Sequence, residues 1–144
     1  MSHNSILIVD DNESNVRLIE AVLESNELTI RTAGDAEEAA ALLQTFSPDL
    51  ILMDIQLPGI DGLEFARQLK SAPATQNIII VALTAYAMKG DKEKALAAGC
   101  DGYIAKPIDT RALPDLIAGY LALVDRSEQR ARWQQKVNRH DGPG

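Results

Sequence analysis

At 144 residues, 46% hydrophobic and 24% charged, the chain has the size and make-up of one soluble globular domain with a single sizeable core. Its net charge is −7, and residues 125–144 hold five Lys/Arg against three Asp/Glu, so residues 1–124 carry −9. An acidic body argues against nucleic acid as a direct ligand and suits a metal cation or basic protein partners. The lone Cys100 cannot close an internal disulfide or build a cysteine metal site. No apolar run reaches the length of a signal peptide core or a membrane span, so a cytoplasmic location away from membranes is expected.

Ser5–Val9 is a continuous, β-branched apolar run, read as a first strand that ends at Asp10 and Asp11. Ser14 is the expected N-cap of a helix in which Val16, Leu18, Ile19, Val22 and Leu23 recur at helical spacing. Leu28–Ala33 is a second strand, and its alternation of Leu28, Ile30 and Thr32 with Thr29 and Arg31 suits a sheet edge. Asp35 and Glu38 have capping-box spacing for a helix to about Thr45, which Pro48 keeps from continuing. Leu50–Met53 is short and wholly apolar, the pattern of a strand buried on both faces, and it stops at Asp54 before a Pro58-Gly59 turn.

Asp61 and Glu64 repeat the capping-box spacing and open a third helix to about Ser71. Ile78–Leu83 is the most apolar strand and ends at Thr84. Residues 85–90 form a loop or first turn, 91–98 a helix, and Gly99 its stop. Tyr103–Ala105 is a short fifth strand running into Lys106-Pro107. Asp109 or Thr110 then caps a last helix with Leu113, Leu116, Ile117, Tyr120, Leu121 and Val124 as its stripe and Pro114 in its first turn. Beyond it the apolar period fades to Trp133 and Val137. Residues 125–144 are therefore expected to be a polar extension, partly helical or disordered, with a docking peptide anchored on Trp133 as the alternative.

Strands alternating with helices predict an α/β fold: a doubly wound, five-stranded parallel sheet with helices on both faces, in the flavodoxin-like order 2-1-3-4-5. That order brings Asp10 and Asp11 beside Asp54 across the switch crevice, with Thr84 and Lys106 on the same rim. Taken singly, each has a structural explanation: a polar strand end, a solvated charge, acidity at a helix start. Five matched strand ends together point to a site. Three carboxylates in one place repel, which calls for a proton or a cation, and a hard divalent ion such as Mg²⁺ suits all-oxygen donors. With charge neutralised by such an ion and Lys106, Asp54 could act as a nucleophile toward a phosphoryl group.

Val9-Asp10-Asp11-Asn12, Met53-Asp54-Ile55-Gln56-Leu57-Pro58-Gly59-Ile60-Asp61-Gly62, Leu83-Thr84-Ala85 and Lys106-Pro107 resemble the receiver domain of bacterial two-component response regulators. The likeness runs over about residues 5–124. It implies that Asp54 is the phosphoacceptor and that Asp11, Asp54 and the Gln56 backbone carbonyl bind Mg²⁺, with Asp10 acting through water. It implies that Thr84, the Ala85 amide and Lys106 contact the phosphoryl oxygens, and that the peptide bond before Pro107 is cis. It also implies a switch in which Thr84 and Tyr103 move together and alter the face of the fourth helix, fifth strand and fifth helix. Tyr103 read from the residues alone is equally an amphipathic residue at the core edge.

Residues 1–124 are thus expected to be a receiver, and the short remainder leaves no room for a DNA-binding or catalytic output domain. The expectation is a stand-alone regulator similar to the chemotaxis or cell-fate single-domain kind. Its donor would be a sensor histidine kinase or histidine phosphotransfer protein, and its output binding to a downstream protein or relay of the phosphoryl group. Three other readings fare worse. An aspartate-nucleophile phosphatase resembles a fold with a second Asp two residues past the nucleophile, where Gln56 stands. A dinucleotide enzyme needs a glycine-rich turn where Asp10-Asp11-Asn12-Glu13 stands. A phosphate-independent scaffold would not need Asp10, Asp11, Asp54, Thr84 and Lys106 all intact. His3 and His140, near the two ends, do not suit a phosphorelay donor.

Overall fold

The computed structural model describes residues 4–24, 28–57, 59, 61–84 and 89–123. Five strands, β1 (Asn4–Val9), β2 (Leu28–Ala33), β3 (Leu50–Asp54), β4 (Ile79–Thr84) and β5 (Gly102–Ala105), form one sheet in the order β2-β1-β3-β4-β5. All four pairings are parallel. Between them run α1 (Glu13–Leu23), α2 (Ala36–Leu42), α3 (Gly62–Ser71) and α4 (Lys89–Ala97), and α5 follows over residues 113–123. The expected doubly wound topology is the one observed.

The alternation of strand side chains explains why helices lie on both faces. Leu7, Val9, Ile51, Met53, Ile80 and Ala82 join one buried layer with Ala36 and Ala39 of α2, Phe65, Ala66 and Leu69 of α3, and Ala95 of α4. Ile6, Ile8, Leu50, Leu52, Ile79, Val81 and Leu83 join the other with Ile19 and Leu23 of α1 and Leu113, Ile117 and Leu121 of α5. Every residue of β3 and β4 is buried, which is why both strands read as unbroken apolar runs. Truncating one of these side chains to Ala would cost about 2–5 kcal/mol. β2 lies at the sheet edge and keeps Arg31 exposed, as its alternation suggests. Among the described residues no helix is long and apolar enough to cross a membrane.

Helix ends follow some of the local capping signals and depart from others. The N-cap of α1 is Asn12, whose side chain accepts from the Asn15 N–H at 3.1 Å; Ser14 lies inside the helix. Asp35 caps α2 by accepting from the Glu38 N–H at 2.7 Å. Glu38 reaches the Gly34 N–H at 3.1 Å rather than closing a box on Asp35. α2 ends at Leu42, and a turn carries the chain through Thr45. Asp61 caps α3, while Glu64 pairs with Arg67 instead of returning to the cap. Gly99 takes the left-handed φ of 99° that stops α4, and Asp109 accepts the Arg111 and Ala112 amides ahead of α5. The expectations placed on Pro58, Ala85, Val124, Trp133, Val137, His3, His140 and residues 125–144 lie outside the described residues.

Candidate functional site

The site lies at the carboxyl ends of the strands, where β1 and β3 are neighbours and the chain winds away in opposite directions from them. The register fixes who meets whom. Val9 stands opposite Met53, so Asp10 and Asp54 follow side by side. Asp54 stands opposite Leu83, and Thr84 opposite Ala105, one residue before Lys106. Residues from four strands thus reach one rim because all four end at the same level.

Asp10, Asp54 and Thr84 are the buried polar residues of the described core, at 2%, 5% and 2% exposure. Lys106 Nζ lies 2.9 Å from Asp54 Oδ2 and 3.5 Å from Asp10 Oδ2, so one ammonium bridges two buried carboxylates. Asp54 Oδ1 accepts the Gln56 N–H at 2.8 Å, and Asp10 Oδ1 accepts the Asn12 N–H at 2.9 Å. Asp11 is exposed, yet it offers a carboxylate oxygen within 4.8 Å of ones from Asp10 and Asp54. The Lys106 N–H donates to the Thr84 carbonyl at 2.7 Å, and the Lys106–Pro107 bond is cis.

The electrostatics follow from three anions facing one cation. Burial raises the Asp10 pKa above 3.8, and the Asp54 charge adds to it, against the opposing Asn12 N–H and Lys106 charge. Burial works against the Lys106 charge, but its hydrogen bond to Asp54 and the charges of Asp10 and Asp54 outweigh that and raise its pKa above 10.5. Lys106 therefore stays an ammonium at neutral pH. The donor set suits a hard cation: three carboxylates, all oxygen, with net negative charge left over after the ammonium is counted.

Gly62 is a structural requirement of this rim. A Cβ there would stand 2.5 Å from the Asp54 carbonyl oxygen and 2.7 Å from Ile55 Cα. The Gly62 N–H donates to the Ile55 carbonyl at 3.2 Å, closing the loop that leaves Asp54.

Of the residues singled out from the sequence, Asp10, Asp11, Asp54, Thr84 and Lys106 come together. Gln56 contributes its backbone beside Asp54, and Ala85 lies outside the described residues. Tyr103 is half-buried on β5, packed against the layer that includes Ala82, which stands opposite it. Two residues were missed. The Asn15 amide reaches Asp10 Oδ2 at 3.5 Å, one turn into α1, a spacing that a search for helix-borne partners of Asp10 would have found. Lys92 Nζ lies 5.4 Å from the centre of the Tyr103 ring, and no local pattern links residues on separate elements.

A doubly wound sheet with this set of side chains at its switch point defines a class of regulatory phosphoacceptors. The chain belongs to the response regulator receiver domain family, whose model matches residues 6–118. Over 118 residues it is 44% identical to the polar-differentiation response regulator DivK of Brucella ovis, covering 81% of this chain and 95% of that one. Among solved structures, it is similar to a CheY-like receiver domain protein from Methanospirillum hungatei, with 28% identity, a TM-score of 0.78, and 88% and 99% of the two chains covered. It is also similar to the chemotaxis response regulator CheY4 of Vibrio cholerae, with 25% identity, a TM-score of 0.77, and 83% and 99% covered.

Proposed function

We propose that this chain is a single-domain response regulator, with residues 1–124 as receiver and 125–144 as a polar extension, whose Asp54 accepts a phosphoryl group. The observation that carries the reading is the Lys106 ammonium shared between buried Asp54 and Asp10, with Asp11 beside them. The donor is a sensor histidine kinase or a histidine phosphotransfer protein, and the output is a protein partner in the cytoplasm. Nucleic acid and membranes take no part.

In the transfer, an Asp54 carboxylate oxygen bonds to phosphorus as the phosphorus–nitrogen bond of the donor phosphohistidine breaks, and the leaving imidazole keeps the electron pair and takes up a proton. The Gln56 N–H, 2.8 Å from Asp54 Oδ1, orients the carboxylate. Lys106, already 2.9 Å from Asp54 Oδ2, moves its charge to a phosphoryl oxygen, and the Thr84 hydroxyl and Ala85 amide serve the others. Mg²⁺ would be held by Asp11, Asp54 and the Gln56 carbonyl, with Asp10 through water. It would supply neutralising charge at the phosphoryl oxygens. Asp10, buried beside Lys106 and anchored by the Asn12 N–H, keeps the field of the site negative enough to hold that ion.

The same reading makes Thr84 and Tyr103 the switch. Thr84 stands opposite Ala105 and Tyr103 opposite Ala82, so the two are diagonal neighbours on one face, flanked by two small residues that leave the ring room to shift. Pulling Thr84 toward a phosphoryl group changes what the ring packs on, and the surface of α4, β5 and α5 carries that change to the partner.

The test is intact mass after incubation with Mg²⁺ and acetyl phosphate. One labile phosphoryl adduct on the native chain, absent from Asp54→Ala and after chelation of the metal, supports the reading. Absence of an adduct, together with failure to bind beryllofluoride, would sink it.

A further inference from the structure

We propose that Lys92 is a positioning residue for Tyr103: its ammonium holds the ring in the half-buried place described above and so sets how readily the switch is thrown. The proposal rests on the reading of Tyr103 as part of that switch. Lys92 stands on α4, one turn before Ala95, which is buried in the same layer that Tyr103 packs against. That spacing puts Lys92 on the side of α4 nearest β5, with Nζ 5.4 Å from the ring centre, within the range of cation–π attraction. Lys92 itself is exposed.

Exposure gives the contact its direction. The ring of Tyr103 is amphipathic and half-buried, so it can satisfy a cation on its outer face while its inner edge packs on the core. A ring drawn deeper, toward Thr84 between Ala82 and Ala105, leaves an ammonium that cannot follow without losing its own water. Lys92 therefore favours the half-buried ring over a more buried one. Any ligand that pulls the ring inward works against that preference, and its affinity falls by the same factor. An exposed cation–π contact is worth a factor of about two to five in that equilibrium at 25 °C. Among the described side chains of α4, Ala95 is the buried one.

The experiment titrates beryllofluoride in excess Mg²⁺ into the full chain labelled with 3-fluorotyrosine, following the ¹⁹F resonance of Tyr103 assigned by Tyr103→Phe. Lys92→Met keeps the length and apolar stem of the side chain, and Lys92→Arg keeps the cation. Lys92→Met is expected to tighten beryllofluoride binding about two- to fivefold, with Lys92→Arg matching the native chain. In a Tyr103→Leu background, Lys92→Met should change nothing, with affinity read there by ¹⁹F of the bound fluoride. Equal affinity of Lys92→Met and the native chain, or an effect that survives in Tyr103→Leu, overturns the proposal. Failure of the native chain's own Tyr103 resonance to respond would instead remove the switch reading on which it rests. Urea midpoints within error of the native value separate the effect from a general loss of fold.

Discussion

Gly62→Ala adds one methyl group, and the structure says where it goes. The new carbon would stand 2.5 Å from the Asp54 carbonyl oxygen and 2.7 Å from Ile55 Cα, where ordinary contact begins at 3.4 Å. Both obstacles are backbone, so no side chain can swing aside. The start of α3 and the end of β3 must separate by about 0.9 Å, the difference between 3.4 and 2.5. Forced overpacking of this kind costs about 1–3 kcal/mol. A shift near 1 Å in a reacting group can also cost up to about a hundredfold in rate. The assays are urea unfolding and the rate of acetyl phosphate labelling in Mg²⁺. Gly119→Ala is the control: it is exposed on α5 with nothing within 4 Å of the new carbon, so it should gain about 0.5–1 kcal/mol and leave the labelling rate unchanged. If Gly62→Ala unfolds and labels like the native chain, the close approach of α3 is not what positions Asp54.

Asp10→Asn should stabilise the metal-free protein at neutral pH. The folded-state pKa of Asp10 lies above its unfolded value of 3.8, so its ionised form costs the native state, and that cost fades as pH falls through the folded-state pKa. The advantage of Asp10→Asn in urea unfolding should therefore be largest near pH 7 and close toward pH 4; a constant gap would refute it. Asp101→Ala should lose about 1–3 kcal/mol in the same assay, because Asp101 Oδ2 accepts from both Lys70 Nζ and the Ile80 N–H at 2.8 Å. Beryllofluoride affinity should not change with it. Burial and the Asp101 charge push the Cys100 thiol up to about 11, so at pH 8 the folded protein should resist alkylation that the urea-unfolded chain undergoes quickly.

How much was legible follows from what each feature depends on. β1, β3 and β4 announce themselves because a strand covered on both faces has no choice but to be apolar along its length, as Ile51 and Ile80 are. The end of each run was equally plain, since a charged or hydroxyl residue marks where the cover stops. Rim membership of Asp10, Asp54, Thr84 and Lys106 then needed only the strand order. Finer choices were harder where two residues offer the same chemistry. Asn12 and Ser14 are both good caps, and what favours Asn12 is that Asp10 already holds its amide. Glu38 and Glu64 had the right spacing, yet Gly34 and Arg67 offered them competing partners. Lys92 on Tyr103 and Lys70 on Asp101 join elements whose mutual placement no local pattern encodes.

The Lys70–Asp101 pair stands at the amino ends of β4 and β5, where Asp101 precedes β5 and Lys70 also donates to the Ile78 carbonyl at 2.8 Å ahead of β4. A strand the length of β4 separates it from the rim that holds Asp54, roughly 16 Å at about 3.3 Å per residue. Lys70 and Asp101, 2.8 Å apart, carry opposite charges, so across that span their fields largely cancel. Parallel strands thus sort the molecule into an acidic pole and a fastening pole that scarcely feel each other's charges. An engineer seeking a hardier fold has a place to work, swapping ions or adding bonds at the fastening pole, without disturbing the carboxylate rim at the other.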